Sequence, residues 1–249
     1  MKLFEQEINC RQLESYKYSN RIKPFKMAVF QFDYKSNDID KSFLDKIFNK
    51  GTILAEKVNP AAANNASYKR NRIRLNNNAS AGLLAEYCWK KYINHKAKKE
   101  IVDYTEFTDA SVQIDLVVLK NNKLIEVRSS FPRNGVEFAI CSKTYEFDIL
   151  GPYSNSVKPG EIQKDFYTRA LFHIPKEKNF LQVAKENDFR VYLTGGATWD
   201  MMIDDNVSKN KDLLPDDFVS QGQEEKSLYR VVPFSKSVDT VEIFDLINS

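Results

Sequence analysis

The sequence predicts a single-domain α/β fold in which a mixed central sheet is flanked by helices. Its 249 residues, of which 42% are hydrophobic and 29% charged, suffice for a large core and are typical of a globular protein. Residues 112–130 have the pattern of two strands joined by a tight turn. Residues 165–194 have the pattern of a strand, a helix and a strand, the size of a right-handed parallel crossover.

The N-terminal part of the chain predicts a strand, a helix and a basic segment. Residues 26–34 have strand character, and Asn37 or Asp38 can cap a helix that Gly51 ends. The loop-like residues that follow contain four basic side chains without an acid, at Lys69, Arg70, Arg72 and Arg74. Because such a cluster favours contacts with phosphates, we expect it to bind nucleic acid, although a merely soluble loop would have the same composition.

Residues 79–94 predict a helix with a buried stripe that includes Leu83 and Tyr87. Glu86 falls about 60° from Leu83 around the helix axis, at the edge of this stripe. An acid in this position can face a cleft instead of bulk water. A lone helix acid is more often solvated, so the candidacy of Glu86 depends on the residues that accompany it.

The hairpin of residues 112–130 is expected to turn at Asn121-Asn122, because asparagine tolerates the positive φ that a two-residue turn requires. If the lysines on either side of the turn pair, Asp115 lies opposite Arg128. In this register Asp115 and Glu126 are diagonal neighbours, roughly 7–8 Å apart at the backbone and within reach of one shared cation.

Side chains alternate between the two faces of a strand, so the hairpin has a polar face and an apolar face. The polar face carries two acids and a base, which are costly to bury unless they bind or pair with something. It consists of Asp115, Val117, Glu126 and Arg128, and the apolar face consists of Ile114, Leu116, Val118, Ile125 and Val127.

The rest of the chain predicts further strands and loops. We expect strands at residues 136–141, 228–234 and 241–246, loops at residues 150–160 and 204–226, and a tight turn at Gly195-Gly196. The predicted organisation is an N-terminal accessory segment (residues 1–66), a core (residues 67–195) and a C-terminal extension (residues 196–249).

Composition argues against several classes of protein. No run approaches the ~18 apolar residues of a membrane span, and the N-terminus carries acids where a signal peptide would be apolar. We therefore expect a cytoplasmic protein without membrane contact. Three cysteines without CxxC spacing argue against a disulfide scaffold or a zinc site, and the two histidines share no ligand motif. Any catalysis would therefore depend on carboxylates, lysine or arginine.

Taken in order, the predicted elements of the core are a helix, three strands, a helix and a strand. With GLLAE at residues 82–86, Ile114-Asp115, and EVRSS at residues 126–130, they resemble the PD-(D/E)xK nuclease superfamily, which has the fold of many restriction endonucleases. The resemblance covers residues 69–194. It implies a restriction-endonuclease-like αβββαβ core.

The resemblance also implies a function, a Mg²⁺-dependent DNA endonuclease of restriction or defence that hydrolyses phosphodiester bonds, with Mn²⁺ as a substitute. Hard divalent cations prefer oxygen ligands and polarise the scissile phosphate. The implied catalytic residues are Glu86, Asp115, Glu126 and Arg128. The implied metal ligands are Asp115, Glu126, the backbone carbonyl of Val127, and Glu86.

The implied partner is DNA, expected to be double-stranded. The basic cluster would hold its backbone, with Arg133 and Asn134 as further contacts just past the hairpin. A homodimer would allow a duplex cutter to reach both strands. Cleavage of RNA remains an alternative, because these groups act on the phosphate and not on the sugar.

Arg128 departs from the superfamily pattern, which has lysine at this position. Arginine has a pKa above about 12 and does not act as a general base. Three outcomes follow: Arg128 supplies the electrostatic part alone, which we favour; Lys143 or another lysine reaches the site; or the site is catalytically weak. The alternative function is a catalytically silent protein of the same fold that binds nucleic acid or serves as an assembly subunit. A surface ion pair between Asp115 and Arg128 would also explain the pattern.

Overall fold

Two β-sheets and six helices make up the part of the chain that the computed structural model describes. The described residues are 1–10, 23–57, 72–105, 115–132, 134–142, 147–154, 160–174, 179–213 and 227–249. The strands are β1 (Lys2–Ile8), β2 (Phe25–Asp33), β3 (Val102–Tyr104), β4 (Leu116–Val118), β5 (Leu124–Ser130), β6 (Asp148–Ser154), β7 (Phe166–Phe172), β8 (Asp188–Thr198), β9 (Lys209–Leu213) and β10 (Ser227–Pro233). The helices are α1 (Asp38–Lys57), α2 (Arg72–Ala97), α3 (Val136–Cys141), α4 (Phe180–Glu186), α5 (Trp199–Ile203) and α6 (Thr240–Asn248).

The larger sheet has seven strands in the order β1-β2-β8-β7-β5-β4-β3, and the smaller has three in the order β6-β10-β9. β5 pairs with β7 in parallel, whereas the other neighbours in the larger sheet are antiparallel. The predicted α/β class with a mixed central sheet flanked by helices is therefore confirmed. β2, from the segment predicted to be accessory, is an interior strand because it pairs with both β1 and β8.

The predicted parallel crossover from residues 165–174 to residues 189–194 is wrong, because β7 and β8 are antiparallel. The parallel connection runs instead from β5 to β7, through α3 and β6. A succession of strand, helix and strand gives the elements but not the direction of the second strand, which depends on its neighbours across the sheet. β8 fits between β2 and β7 as an antiparallel strand.

Four short segments differ from the sequence prediction. Residues 136–141 and 241–246 are helical and not strands. Residues 150–154 belong to β6 and residues 209–213 form β9, where loops were expected. Short apolar runs do not distinguish helix from strand by period alone. For α6 a stronger signal was present, because Asp239 and Glu242 form a capping box.

Gly195 and Gly196 lie within β8 and do not form the expected turn. Gly195 has a φ of +75°, and a Cβ atom there would approach the carbonyl oxygen of Val238 to 2.1 Å. A Cβ on Gly196 would approach the carbonyl oxygen of Tyr167 to 2.4 Å. The glycines therefore allow the segment before α6 to bridge β8, where Gly196 and Val238 exchange backbone hydrogen bonds.

The hairpin between β4 and β5 has a longer turn than predicted. Val117 pairs with Leu124, and the N–H of Val118 donates to the carbonyl of Lys123 at 2.8 Å. The turn therefore spans residues 119–122, with the positive φ at Asn122 alone of the two asparagines. The shift in pairing is two residues, so each side chain keeps its predicted face. The described apolar-face residues Leu116, Val118, Ile125 and Val127 are all buried in the main core.

Cys10 and Cys141 form a disulfide that joins the end of β1 to the end of α3, contrary to the expectation from the cysteine count. Their Cα atoms are 5.1 Å apart. An odd number of cysteines does not prevent a single bridge, and Cys88 remains as a buried free thiol. No helix in the described ranges is long and apolar enough to cross a membrane.

α1 continues through Gly51, where the sequence predicted its end. The side chain of Asn37 accepts hydrogen bonds from the N–H groups of Ile39 and Asp40, so the predicted cap is present. Gly51 marks a close approach of helices, because a Cβ there would lie 2.2 Å from Oγ and 2.9 Å from Cα of Ser80 on α2. The missing side chain lets α1 and α2 pack directly against each other.

Replacing Gly51 by alanine is expected to lower the free energy of unfolding by about 1–3 kcal/mol, because the helices must separate to admit the methyl group. Urea denaturation monitored by circular dichroism measures the change. Gly82→Ala in α2 is the matched control, since a Cβ there meets nothing within 4 Å. It should stabilise the protein by about 0.5–1 kcal/mol through helix propensity. Equal effects of the two substitutions would contradict the close contact at Gly51.

Candidate functional site

A cleft of about 240 Å³ lies between α2 and the start of the β4–β5 hairpin. Four acids and one base line it, together with apolar side chains of α1 and α2. The charged residues are Glu86, Asp115, Glu126, Glu161 and Arg128, and the backbone of Val127 lies among them. The structure thus brings together all four side chains that the sequence singled out for catalysis.

Each acid is positioned by a different element. Glu86 lies on α2 beside the buried Leu84 and Ala85, and its own side chain is half-buried. Asp115 immediately precedes β4, and Glu126 lies in β5; these residues are only 9% and 7% exposed. Because β3 and β4 have only three residues each, the sheet is short at this edge and leaves room for the cleft.

Asp115 is held by the strand opposite it. Its Oδ2 accepts a hydrogen bond of 2.6 Å from the N–H of Val127. Burial and the nearby Glu126 carboxylate raise the pKa of Asp115 to about 8. Burial also raises the pKa of Glu86 well above its ordinary value, and repulsion from the carboxylates of Asp115 and Glu126 adds a smaller effect in the same direction. Glu86 has no hydrogen-bond or ion-pair partner within the described ranges, so two of the acids favour a proton or a cation.

Glu126 is neutralised by two cations. Its Oε1 lies 2.8 Å from Nη2 of Arg128, and its Oε2 lies 3.3 Å from Nζ of Lys164. Its backbone carbonyl accepts a 3.0 Å hydrogen bond from the hydroxyl of Thr168 on β7. The parallel neighbour strand therefore fixes the backbone of this acid while the two cations hold its carboxylate.

Arg128 bridges two acids. Its Nη2 lies 3.0 Å from both carboxylate oxygens of Glu161, and its guanidinium lies 5.6 Å from the centre of the Tyr153 ring. Burial disfavours the charged guanidinium, but the attraction of Glu126 and Glu161 outweighs the effect of burial. The pKa of Arg128 is therefore raised well above its ordinary value. Arg128 is therefore a permanent positive charge in the cleft.

Sequence reasoning missed Glu161 and Lys164. Both lie in the extended segment just before β7, and Lys164 is only 4% exposed. No local motif distinguishes them from solvated charges. The available signal was general, because the outcomes open for Arg128 included a lysine other than Lys143 that reaches the site. Lys164 does so, whereas Lys143 lies outside the described residues.

The stability of the fold is expected to fall as the pH rises. In the unfolded chain Asp115 releases its proton near pH 4, whereas in the folded protein its pKa is about 8. Between about pH 4 and pH 8 the folded state therefore binds the extra proton, so the free energy of unfolding decreases through this window. Glu86 acts in the same direction. Melting temperatures should drop by several degrees from pH 5 to pH 8, and Asp115→Asn should flatten the profile. A melting temperature that rises over this range would contradict the raised pKa.

The donor set suits a hard divalent cation in kind, since Mg²⁺ binds carboxylate and carbonyl oxygens. The raised pKa values of Asp115 and Glu86 also suit a cation that replaces the protons of these acids, and Glu86 has no partner among the described residues. Within the described ranges, however, no group of three His, Cys, Asp or Glu side chains is arranged to hold a metal ion. Glu126 must exchange at least one of its ion pairs before it can act as a ligand.

The predicted nucleic-acid contacts that belong to the described residues lie apart from the cleft. Arg72 and Arg74 belong to the first turn of α2, where Arg72 pairs with Glu56 of α1. At 1.5 Å per residue, this turn is about 20 Å along the helix from Glu86. Asn134 lines another cavity, beside His173 and Tyr192. The remaining predicted contacts, Lys69, Arg70 and Arg133, fall outside the described residues.

An uncharacterized protein of Methanocaldococcus jannaschii is similar to this chain. The two are 27% identical over 245 residues of alignment, with 84% of this chain and 83% of the relative covered. No protein-family model and no solved structure matches the chain. The likeness extends over most of both proteins and carries no functional description, so function has to be inferred from the cleft.

Proposed function

We propose that the protein is a metal-dependent nuclease that hydrolyses phosphodiester bonds in DNA. The observation that carries the proposal is the convergence of Glu86, Asp115 and Glu126 in one cleft beside two cations, the partly buried Arg128 and the buried Lys164. Acids with raised pKa values next to fixed positive charge are typical of functional sites. Surface ion pairs, the simpler explanation of the sequence pattern, do not account for buried acids.

The order of elements supports a restriction-endonuclease-like core. α2 precedes the antiparallel strands β3, β4 and β5, and α3 precedes β7, which is parallel to β5. This is the αβββαβ order that the resemblance implies, although several elements differ from those assigned from the sequence and β6 is inserted. Glu86 lies on the helix, Asp115 immediately before the first hairpin strand, and Glu126 on the second hairpin strand of that order.

In this proposal Asp115, Glu126, the Val127 carbonyl and Glu86 hold Mg²⁺ or Mn²⁺. The ion would polarise the scissile phosphate and acidify a water molecule. Arg128 stabilises the negative charge that develops on the phosphate, because its own charge is permanent. Lys164 lies beside Glu126 and can orient the attacking water.

The proposed setting is the cytoplasm, in restriction or in defence against foreign DNA. Arg72 and Arg74 are the described residues that we propose to contact the DNA backbone at a distance from the cut. Two sites in a homodimer would allow both strands of a duplex to be cut together, so the proposal includes a homodimer, which light scattering of the purified protein tests.

A second function is favoured by a specific observation. Both oxygens of Glu126 are already neutralised, and Arg128 is held by Glu161 as well. Such a closed network needs no metal ion, as expected of a silent site in a protein that binds nucleic acid or supports an assembly.

One assay separates the two functions. The purified protein is incubated with Mg²⁺ or Mn²⁺ on plasmid, linear duplex and single-stranded DNA, with EDTA as the blank. We expect metal-dependent cleavage of at least one substrate. Salt-sensitive binding without a cut under either metal would favour the silent protein instead. An RNA substrate in the same assay tests the sugar preference.

A further inference from the structure

We propose that a groove between α1 and α2 binds an unpaired nucleic-acid strand and leads it to the acidic cleft. This inference depends on the proposed function and names its substrate class: nucleic acid with a single-stranded segment, in preference to intact duplex. Apart from Glu86, which also lines the acidic cleft, the residues that line the groove were assigned to no function from the sequence.

The groove adjoins the acidic cleft. Its volume is about 740 Å³, and Leu83 and Glu86 of α2 line both cavities. A volume of this size falls within the range of about 300–1,000 Å³ typical of ligand sites. A chain lying in the groove therefore needs to pass only one face of α2 to reach the acids.

The charge of the groove suits phosphates. Lys46 and Lys50 of α1 and Lys91 of α2 line it, and all three are exposed. Among the residues that the structure describes, none of these ammonium groups has an ion-pair partner. Lys90 differs, because it is paired with Asp103 and Glu100. The unpaired lysines leave positive charge available along the groove wall.

Aromatic rings lie among the lysines. Phe43 and Tyr87 have ring centroids 4.4 Å apart, and both line the groove. Tyr104 at the end of β3 is exposed, and Nζ of Lys90 lies 4.7 Å from its ring centroid. Rings interleaved with unpaired cations form the stacking and backbone contacts that bind single strands without sequence preference.

The same rings argue against a duplex as the occupant. Bases in a duplex stack on one another and present only their edges, so their faces are not available to protein rings. An unpaired strand offers both base faces and phosphates to the groove. The proposed substrate is therefore a single strand, a flap or a frayed end.

Fluorescence anisotropy in EDTA tests binding without cleavage, with a short labelled deoxythymidine oligonucleotide and a blunt duplex of the same length. We expect the single strand to bind at least tenfold more tightly than the duplex. Lys46→Gln combined with Lys50→Gln should weaken single-strand binding several-fold and reduce the salt slope, and Tyr104→Leu should weaken it about fivefold or more. A matching oligouridine distinguishes an RNA strand from a DNA strand.

Matched variants exclude indirect effects. Lys209→Gln removes an exposed lysine from β9 in the smaller sheet, and Tyr104→Phe keeps the ring, so both should bind like the parent. Three results would contradict the proposal that the groove binds a single strand. These are equal affinity for duplex and single strand, no binding of either, and groove variants that bind like the parent. If the groove variants weaken binding but the parent cuts no substrate, the nuclease proposal is refuted and the proposal of single-strand binding in the groove still holds.

Discussion

Replacing Asp115 by asparagine is expected to reduce metal-dependent cleavage by about 100-fold or more. Asparagine keeps the shape of the side chain and an oxygen that can accept the hydrogen bond from the N–H of Val127. It removes the charge that a divalent cation requires. Because Asp115 favours its protonated form in the fold, with a pKa of about 8, the variant should melt at or above the temperature of the parent at neutral pH. Initial rates on plasmid DNA measure the effect.

Two further variants make the Asp115→Asn test specific. Glu126→Gln should lose cleavage to a similar extent while binding in EDTA is retained. Asp205→Asn is the matched control, because Asp205 is an exposed acid that pairs with Arg230 away from the cleft. If Asp115→Asn and Glu126→Gln cut at the rate of the parent, the acidic cleft is not the catalytic site.

Lys164→Met is expected to lower the cleavage rate about 100-fold, within the range typical of a group that transfers or positions a proton. Methionine fills similar space at a buried position and removes the ammonium group 3.3 Å from Glu126. Arg128 remains as the only cation beside that carboxylate among the described residues. The cleavage rate is measured over a range of pH. Loss of a positioned ammonium group should change the shape of the pH–rate profile and not only the maximal rate.

A second substitution at the same position shows whether Lys164 acts through its charge alone. Lys164→Arg keeps the positive charge. Its cleavage rate should stay close to that of Lys164→Met if Lys164 transfers or positions a proton, and should return close to that of the parent if only the charge is needed. Lys209→Met is the control for loss of a lysine elsewhere. If Lys164→Met cuts at the rate of the parent, Lys164 has no part in cleavage. The outcome favoured from the sequence, in which Arg128 alone stabilises the charge on the phosphate, would then hold.

The residues predictable from the sequence are those whose placement depends on local geometry. Strand alternation put Asp115, Glu126 and Arg128 on one face, and the two-residue error in register did not change this, because an even shift preserves faces. Helix periodicity likewise put Glu86 at the margin of the buried stripe. Local periods thus sufficed to select four of the side chains that line the cleft.

The residues missed depend on tertiary placement. Glu161 and Lys164 lie in an irregular segment, and only the parallel pairing of β7 with β5 brings that segment beside Glu126. The direction of β8, the helical state of residues 136–141 and the pairing of Cys10 with Cys141 were likewise set by distant partners. None of these leaves a periodic signal in a single sequence.

The close contact between Gly51 and Ser80 affects the space between α1 and α2 that is available to the proposed single strand. It lies along the α1–α2 interface between the lysine-lined groove, at residues 43–50 of α1, and the acidic cleft, which Leu54 of α1 lines. Glycine at this position allows the two helices to approach each other closely. A bulkier residue there would push the helices apart, so the space for the proposed single strand would depend on a residue that contacts no substrate.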